Sequence, residues 1–254
     1  MKDFNKGFTL GEILICLAIV GVIAALSLPK VITFKEKTIV GTSLGRTVLN
    51  LQNGFSNILQ RTQDMSSSDT PITTLDGIQL KDIFTEVPDG LNEEDYLIDN
   101  DYLFSQTSDM IGAVPATNYD TSKIRDYNGD NINFLSENTH AYRLSKLKSV
   151  VIFEEIIKPE ENPDNPPAAG ANVSDDGILA RILIDANGVK EPNRLGKDIF
   201  LFGLANNGHL IPAGSEEYKS FDDSVDTDTC TENSQGTGVG CAAKVMKDKW
   251  KIEY

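Results

Sequence analysis

Residues 8–28 form an apolar run in which the only ionisable side chain, apart from the thiol of Cys16, is Glu12. Wound as an α-helix at about 1.5 Å per residue, the run reaches roughly 31 Å, the thickness of a bilayer's hydrocarbon core. The run is therefore expected to span or insert into a membrane. A carboxylate is costly there, by about 2.5–3.5 kcal/mol at the centre of a span and less near an interface, so Glu12 either reaches water or has a partner. A cleavable secretory signal fits poorly, because its apolar core is only about 7–15 residues long. Cys16 reads as a small apolar filler.

The residues around Glu12 extend the pattern. Lys6-Gly7-Phe8-Thr9-Leu10-Gly11-Glu12, then Ile13-Leu14-Ile15 and an apolar run closed by Leu28-Pro29, resembles the amino-terminal signature of type IV prepilins and type II secretion pseudopilins. It covers less than a sixth of the chain, to about Lys37. The resemblance implies that a prepilin peptidase cuts between Gly7 and Phe8 and that the new amine of Phe8 is methylated. Glu12 occupies the fifth position of the mature chain, where the family has its glutamate, and Pro29 occupies the place of its helix-kinking proline. Gly11 departs from the larger apolar residue usual there, at about 1 kcal/mol of helix stability relative to Ala.

Elementary electrostatics is consistent with that role. The amine left at Phe8 is four residues from Glu12, one helical turn away, and the same amine on a neighbouring subunit could pair with Glu12 during assembly. Paired charges offset a desolvation that neither bears alone. The positive-inside count runs against a cytoplasmic amino terminus, since Lys2 and Lys6 precede the run but Lys30, Lys35 and Lys37 follow it. A cytoplasmic leader and a head outside the cytoplasm, on a single-pass protein of the cytoplasmic membrane, are what the resemblance implies.

Beyond Pro29 the helix is expected to resume. Val40, Leu44, Val48, Leu51, Phe55 and Ile58 return to one face over five turns, and the intervening residues are mostly polar. Gly41, Gly45 and Gly54 either weaken the helix or mark close packing between helix and sheet. A Ser/Asp/Thr run from 65 to 74 places the helix end near Gln63. Residues 75–138 read as an acidic connection with short helical or irregular candidates at 80–84 and 93–104. Strands are predicted at 149–157, 178–184, 199–204 and 209–211, with a Pro-rich solvated loop at 158–171.

The order of elements implies an α+β domain in which a long amino-terminal helix lies on a small antiparallel sheet. This is also the pilin arrangement. The expected division is a leader at residues 1–7, a membrane and assembly helix at 8–29, its amphipathic continuation at 30–64 and a globular head at 65–254. Cys230 and Cys241 bracket a Gly-rich polar segment. They are expected either to tie its ends as a disulfide or to stand as two thiols. The resemblance favours the disulfide, because many pilins carry a disulfide-bounded carboxy-terminal region.

Two acidic loops are candidates for Ca2+. Asp126, Asn128, Asp130 and Glu137 have the oxygen-ligand spacing of a calcium loop, although Asn131 stands where Gly is expected. The other, with Asp185, Asn187 and Asp198, resembles the late loops in which some pseudopilins bind calcium. Ordinary Asn/Asp turns explain both equally simply. Catalytic patterns are thin: His140 and His209 stand in no zinc spacing, and the pairs Glu154-Glu155 and Glu216-Glu217 read as solvent-facing charge. No enzyme is expected. A net charge of −15 also argues against direct contact with nucleic acid.

The function implied by the resemblance is a structural subunit, minor or accessory, of a type IV pilus-like filament or type II secretion pseudopilus. Its partners would be other pilin or pseudopilin subunits, the peptidase, the filament assembly machinery and the membrane. The alternative is a monomeric membrane-tethered binding or adhesin domain that uses the apolar helix only as an anchor.

Overall fold

The computed structural model describes residues 9–65, 111–132, 135, 139–144, 147–155, 178–205, 207–221, 230 and 236–254. Gly7, Phe8 and Glu137, the candidate helices at 80–84 and 93–104 and the loop at 158–171 lie outside them.

Helix α1, Leu10–Met65, runs unbroken through Pro29. Its two halves meet different surroundings. In the first half Leu10, Leu17, Leu26 and Leu28 are exposed, and the most apolar eighteen-residue stretch has a mean hydropathy of 2.5 with none of it buried. Among the described residues this is the one helix long and apolar enough to cross a membrane. In the second half the predicted stripe is the buried face: Leu44, Leu51 and Phe55 are wholly inaccessible, while Leu49, off the stripe, is 55% exposed.

That face packs on a six-stranded antiparallel sheet in simple meander order, β1 Ala113–Pro115, β2 Thr139–Leu144, β3 Val150–Glu155, β4 Ile178–Asp185, β5 Ile199–Ala205 and β6 Leu210–Pro212. Val151, Phe153, Ile182, Ile184, Phe200 and Phe202 face α1. The alternate residues Val150, Ile152, Leu183 and Leu201 form a second core with Ile124 and with Tyr218 of helix α2, Glu216–Phe221. Burial on both faces explains why the central strands read as nearly continuous apolar runs. Thr47 and Ser149 share a buried hydrogen bond of 2.7 Å where helix meets sheet.

Four strands fall where the sequence predicts them, within a residue or two at the described ends. β1 lies inside the stretch that reads as a connection, and β2 lies where the sequence predicts no strand. Glu154 corrects another expectation: it is only 3% exposed, and its carboxylate lies 3.7 Å from the guanidinium of Arg181, its cross-strand partner. Glu216 and Glu217 are exposed as expected, but on a helix.

The carboxy-terminal region closes the helix side of the domain. Cys230 and Cys241 form a disulfide with Cα atoms 4.8 Å apart, and Cys241 begins helix α3, Cys241–Lys247. After α3, two consecutive residues with positive φ, Lys249 (55°) and Trp250 (65°), turn the chain onto α1. Gly41 and Gly45 provide the bed. A Cβ at 41 would lie 2.0 Å from the Trp250 carbonyl oxygen, and one at 45 would lie 2.9 Å from the indole. These two glycines thus serve close packing, but against the tail rather than the sheet. Reduction of the disulfide, or Cys230→Ser with Cys241→Ser, should cost about 3 kcal/mol. In thermal denaturation that is a melting temperature lower by roughly 6–12 °C.

Candidate functional site

Two places concentrate polar groups that the fold does not need for its core. The first is the start of α1. Thr9 precedes the helix, and Glu12 Oε2 accepts hydrogen bonds from Thr9 N at 2.8 Å and Thr9 Oγ1 at 2.9 Å, while Glu12 N donates to Thr9 Oγ1 at 3.3 Å. This reciprocal arrangement is a capping box, in which the side chains at the cap and three residues later satisfy each other's backbone donors. The carboxylate also faces the positive end of the helix dipole. Thr9-x-x-Glu12 is legible in the sequence as this signature. Any external cation must share Glu12 with Thr9 or displace it.

The second place is the end of the sheet nearer the apolar half of α1. Lys190 Nζ lies 3.4 Å from Glu36 Oε1, and Lys37 Nζ donates to the Tyr254 carbonyl oxygen. At the opposite end Gly208 lies against Phe55 and Leu59. The two candidate calcium loops meet at the near end: Arg125 N donates to Asn193 O at 3.0 Å, and Leu195 N to Arg125 O at 2.9 Å. Tyr127 N reaches Thr237 O at 2.8 Å, which brings the segment before α3 into the same junction. Tyr254 Oη closes it with a 2.6 Å bond to Gly196 O. Beside α1 the junction leaves a cleft of about 1110 Å3, with Glu36, Lys37 and Arg46 on one wall and Lys190, Lys197 and Asp198 on the other.

The carboxylates of Asp126, Asp185 and Asp198 accept hydrogen bonds from donors of their own chain. Asp126 Oδ1 accepts from Gly129 N (2.7 Å) and Asp130 N (2.8 Å), and Asn128 Nδ2 reaches toward Gly236 O at 3.4 Å. Asp185 Oδ1 accepts from Gly188 N (2.8 Å) and Asn187 N (3.1 Å), and its Oδ2 from the Tyr119 hydroxyl (2.7 Å). Asp198 Oδ1 accepts from Arg194 N (2.7 Å), and its Oδ2 from Asn193 N (2.9 Å) and Asn187 Nδ2 (3.0 Å). The structure therefore brings Asn187 and Asp198 together. Buried oxygens without a hydrogen-bond donor here include Asn187 Oδ1 and Asn193 Oδ1. Among the described residues, no group of three or more His, Cys, Asp or Glu side chains is placed to hold a metal. Calcium at either loop would have to compete with these donors for Asp126, Asp185 or Asp198.

Burial sets the electrostatics of the junction. It pushes the Asp185 carboxyl up to about 7, helped by the nearby charge of Asp198 and opposed by the hydrogen bond from Tyr119. Burial likewise raises Asp198. The Tyr119 hydroxyl is raised by its own burial and then by Asp185. Lys197, 4.6 Å over the Tyr127 ring, is lowered by burial and by Arg194. Tyr119 and Tyr127 carry no sequence signal for these roles; only the meeting of the loops reveals them.

His140 and His209 are both exposed. No protein-family model matches the chain, and no curated protein or solved structure matches it.

Proposed function

We propose that this chain is a structural subunit, minor or accessory, of a filament assembled from a membrane, of the type IV pilus or type II secretion pseudopilus kind. The observation that carries the reading is Glu12, a carboxylate at the start of a helix whose following residues are apolar and unburied. Such a surface suits lipid before assembly and neighbouring apolar helices after it. Glu12 offers an incoming subunit's Phe8 amine the one counter-charge in an otherwise apolar seam. The head would stand outside the cytoplasm. A peptidase cutting after Gly7 would supply the amine, and assembly machinery on other chains would supply the work.

The capping box dictates the choice of variants. Glu12→Gln keeps a side-chain acceptor for Thr9 and removes only the charge, whereas Glu12→Ala removes both. Each should leave the membrane-bound amount unchanged and lower the filament-bound amount by at least about tenfold, equivalent to ~1.4 kcal/mol. Filaments containing Glu12→Gln at the normal level would sink the charge-pairing role. Mass spectrometry of the mature terminus should find N-methylphenylalanine at position 8.

The cleft beside α1 favours a second reading, a membrane-tethered binding domain. Under it the chain would neither co-purify with sheared filaments nor cross-link to other subunits through residues 10–28.

A further inference from the structure

We infer that the loop at residues 187–192 rests on the anionic surface of the membrane that α1 enters, so that the unassembled head is docked on lipid rather than held clear of it. The inference rests on α1 being a membrane span but not on filament assembly.

Position is the first argument. The exposed apolar surface of α1 does not stop at Leu28. It continues through Val31, Ile32 and Phe34, the last 74% exposed, with Lys30 before and Lys35 after them. From Leu10 to Phe34 the helix rises about 37 Å, more than the ~30 Å hydrocarbon core and less than the ~40–45 Å that includes the headgroups. Phe34 therefore falls at headgroup depth. Glu36 is two residues further, about 3 Å along the axis, and Lys190 touches it. The loop is thus held at the level of the lipid surface.

Composition is the second argument. Val189 is 70% exposed beside Lys190, itself 70% exposed in its side chain. Gly188 has a positive φ of 76° and lies against the Lys148 carbonyl, which places exposed Lys148 beside the loop. Lys30, Lys35, Lys148 and Lys190 oppose Glu36 and Glu191 at this end, although the whole chain carries −15. An apolar tip flanked by Lys148 and Lys190 matches an anionic lipid surface. Transmembrane helices tilt by about 20° on average. A tilt toward this side lowers the loop onto the surface.

The test uses the full chain carrying Cys16→Ala and Val189→Cys, labelled at 189 with an environment-sensitive fluorophore. It is reconstituted into phosphatidylcholine vesicles with or without about one-third phosphatidylglycerol. Quenching by headgroup spin-labelled lipid should be at least twofold stronger in the anionic vesicles. It should fall in about 0.5 M salt, where screening lengths drop well below their ~8 Å physiological value. Lys148→Glu with Lys190→Glu should abolish the difference. Equal quenching in both lipids, indifference to the charge reversal, or quenching that follows protein concentration would overturn the inference, the last in favour of contact between copies. Alkaline extraction separates the failures. A chain that washes off the vesicles refutes the membrane span itself, and one that stays but is not quenched refutes only the docking.

Discussion

Phe55→Ala should lower the unfolding free energy of the head by about 3–5 kcal/mol, and Leu49→Ala on the same helix should change it by no more than about 0.5 kcal/mol. Phe55 is wholly buried against the sheet, with Gly208 of the β5–β6 turn close to its Cβ. Its loss combines the forfeited burial of a phenyl ring with the cavity left between helix, turn and strands. Leu49 lies off the stripe, and Leu and Ala differ little in helix propensity. Denaturant unfolding of the detergent-solubilised chain measures both. Equal effects at the two positions would mean that the outer half of α1 is not held by the core as described.

The second large effect is in pH. Asp185 is wholly buried, and burial holds its carboxyl near 7, against about 4 in an unfolded chain. Between those values the folded state keeps a proton that the unfolded state releases. Stability from this group is therefore present in full below pH ~4, falls as pH rises through the window, and levels off above about 7. At about 1.4 kcal/mol per unit, the decline is of order 2–4 kcal/mol. Asp185→Asn preserves an oxygen for Asn187 N and Gly188 N and offers an amide to the Tyr119 oxygen. It should flatten this part of the profile and make the protein more stable than the parent above pH 7. Unfolding midpoints measured from pH 4 to 8 in parallel would show it. A parent profile that rises across the window, or a variant that tracks the parent, would contradict the assignment.

The features that the sequence displayed openly are those with a period. The stripe from Val40 to Ile58 repeats every three or four residues, and β3 to β6 are apolar because both faces of the sheet are covered. β2 escaped notice because only Leu144 of its six residues is buried. It is a strand because His140 pairs with Phe153 and Tyr142 with Val151. Glu154 misled for a related reason: its guanidinium partner is across the ladder at Arg181, and no local pattern encodes register. The seating of Trp250 on Gly41 and Gly45 joins residues some two hundred positions apart. At the site, the polar composition of the loop marks Asp185, Asn187 and Asp198 as candidates, whereas Tyr119 and the meeting with residues 125–130 depend on tertiary structure. Thr9 is different, since its spacing from Glu12 was in plain view.

The unbroken passage of α1 from an apolar half into the core has a mechanical consequence. From Val40 to Ile58 the helix is packed on the sheet, with the tail seated on it at Gly41 and Gly45, so torque applied to its apolar end is passed to the sheet rather than lost by rotation inside the head. Pro29 has no N–H to give the carbonyl of Ala25, and the Ser27 hydroxyl is already turned back to the Ile23 carbonyl at 2.8 Å. Flexing at that turn breaks no helical bond at the Ala25 carbonyl. Within the apolar half, the turn at residues 25–29 is thus where bending costs the fewest helical hydrogen bonds.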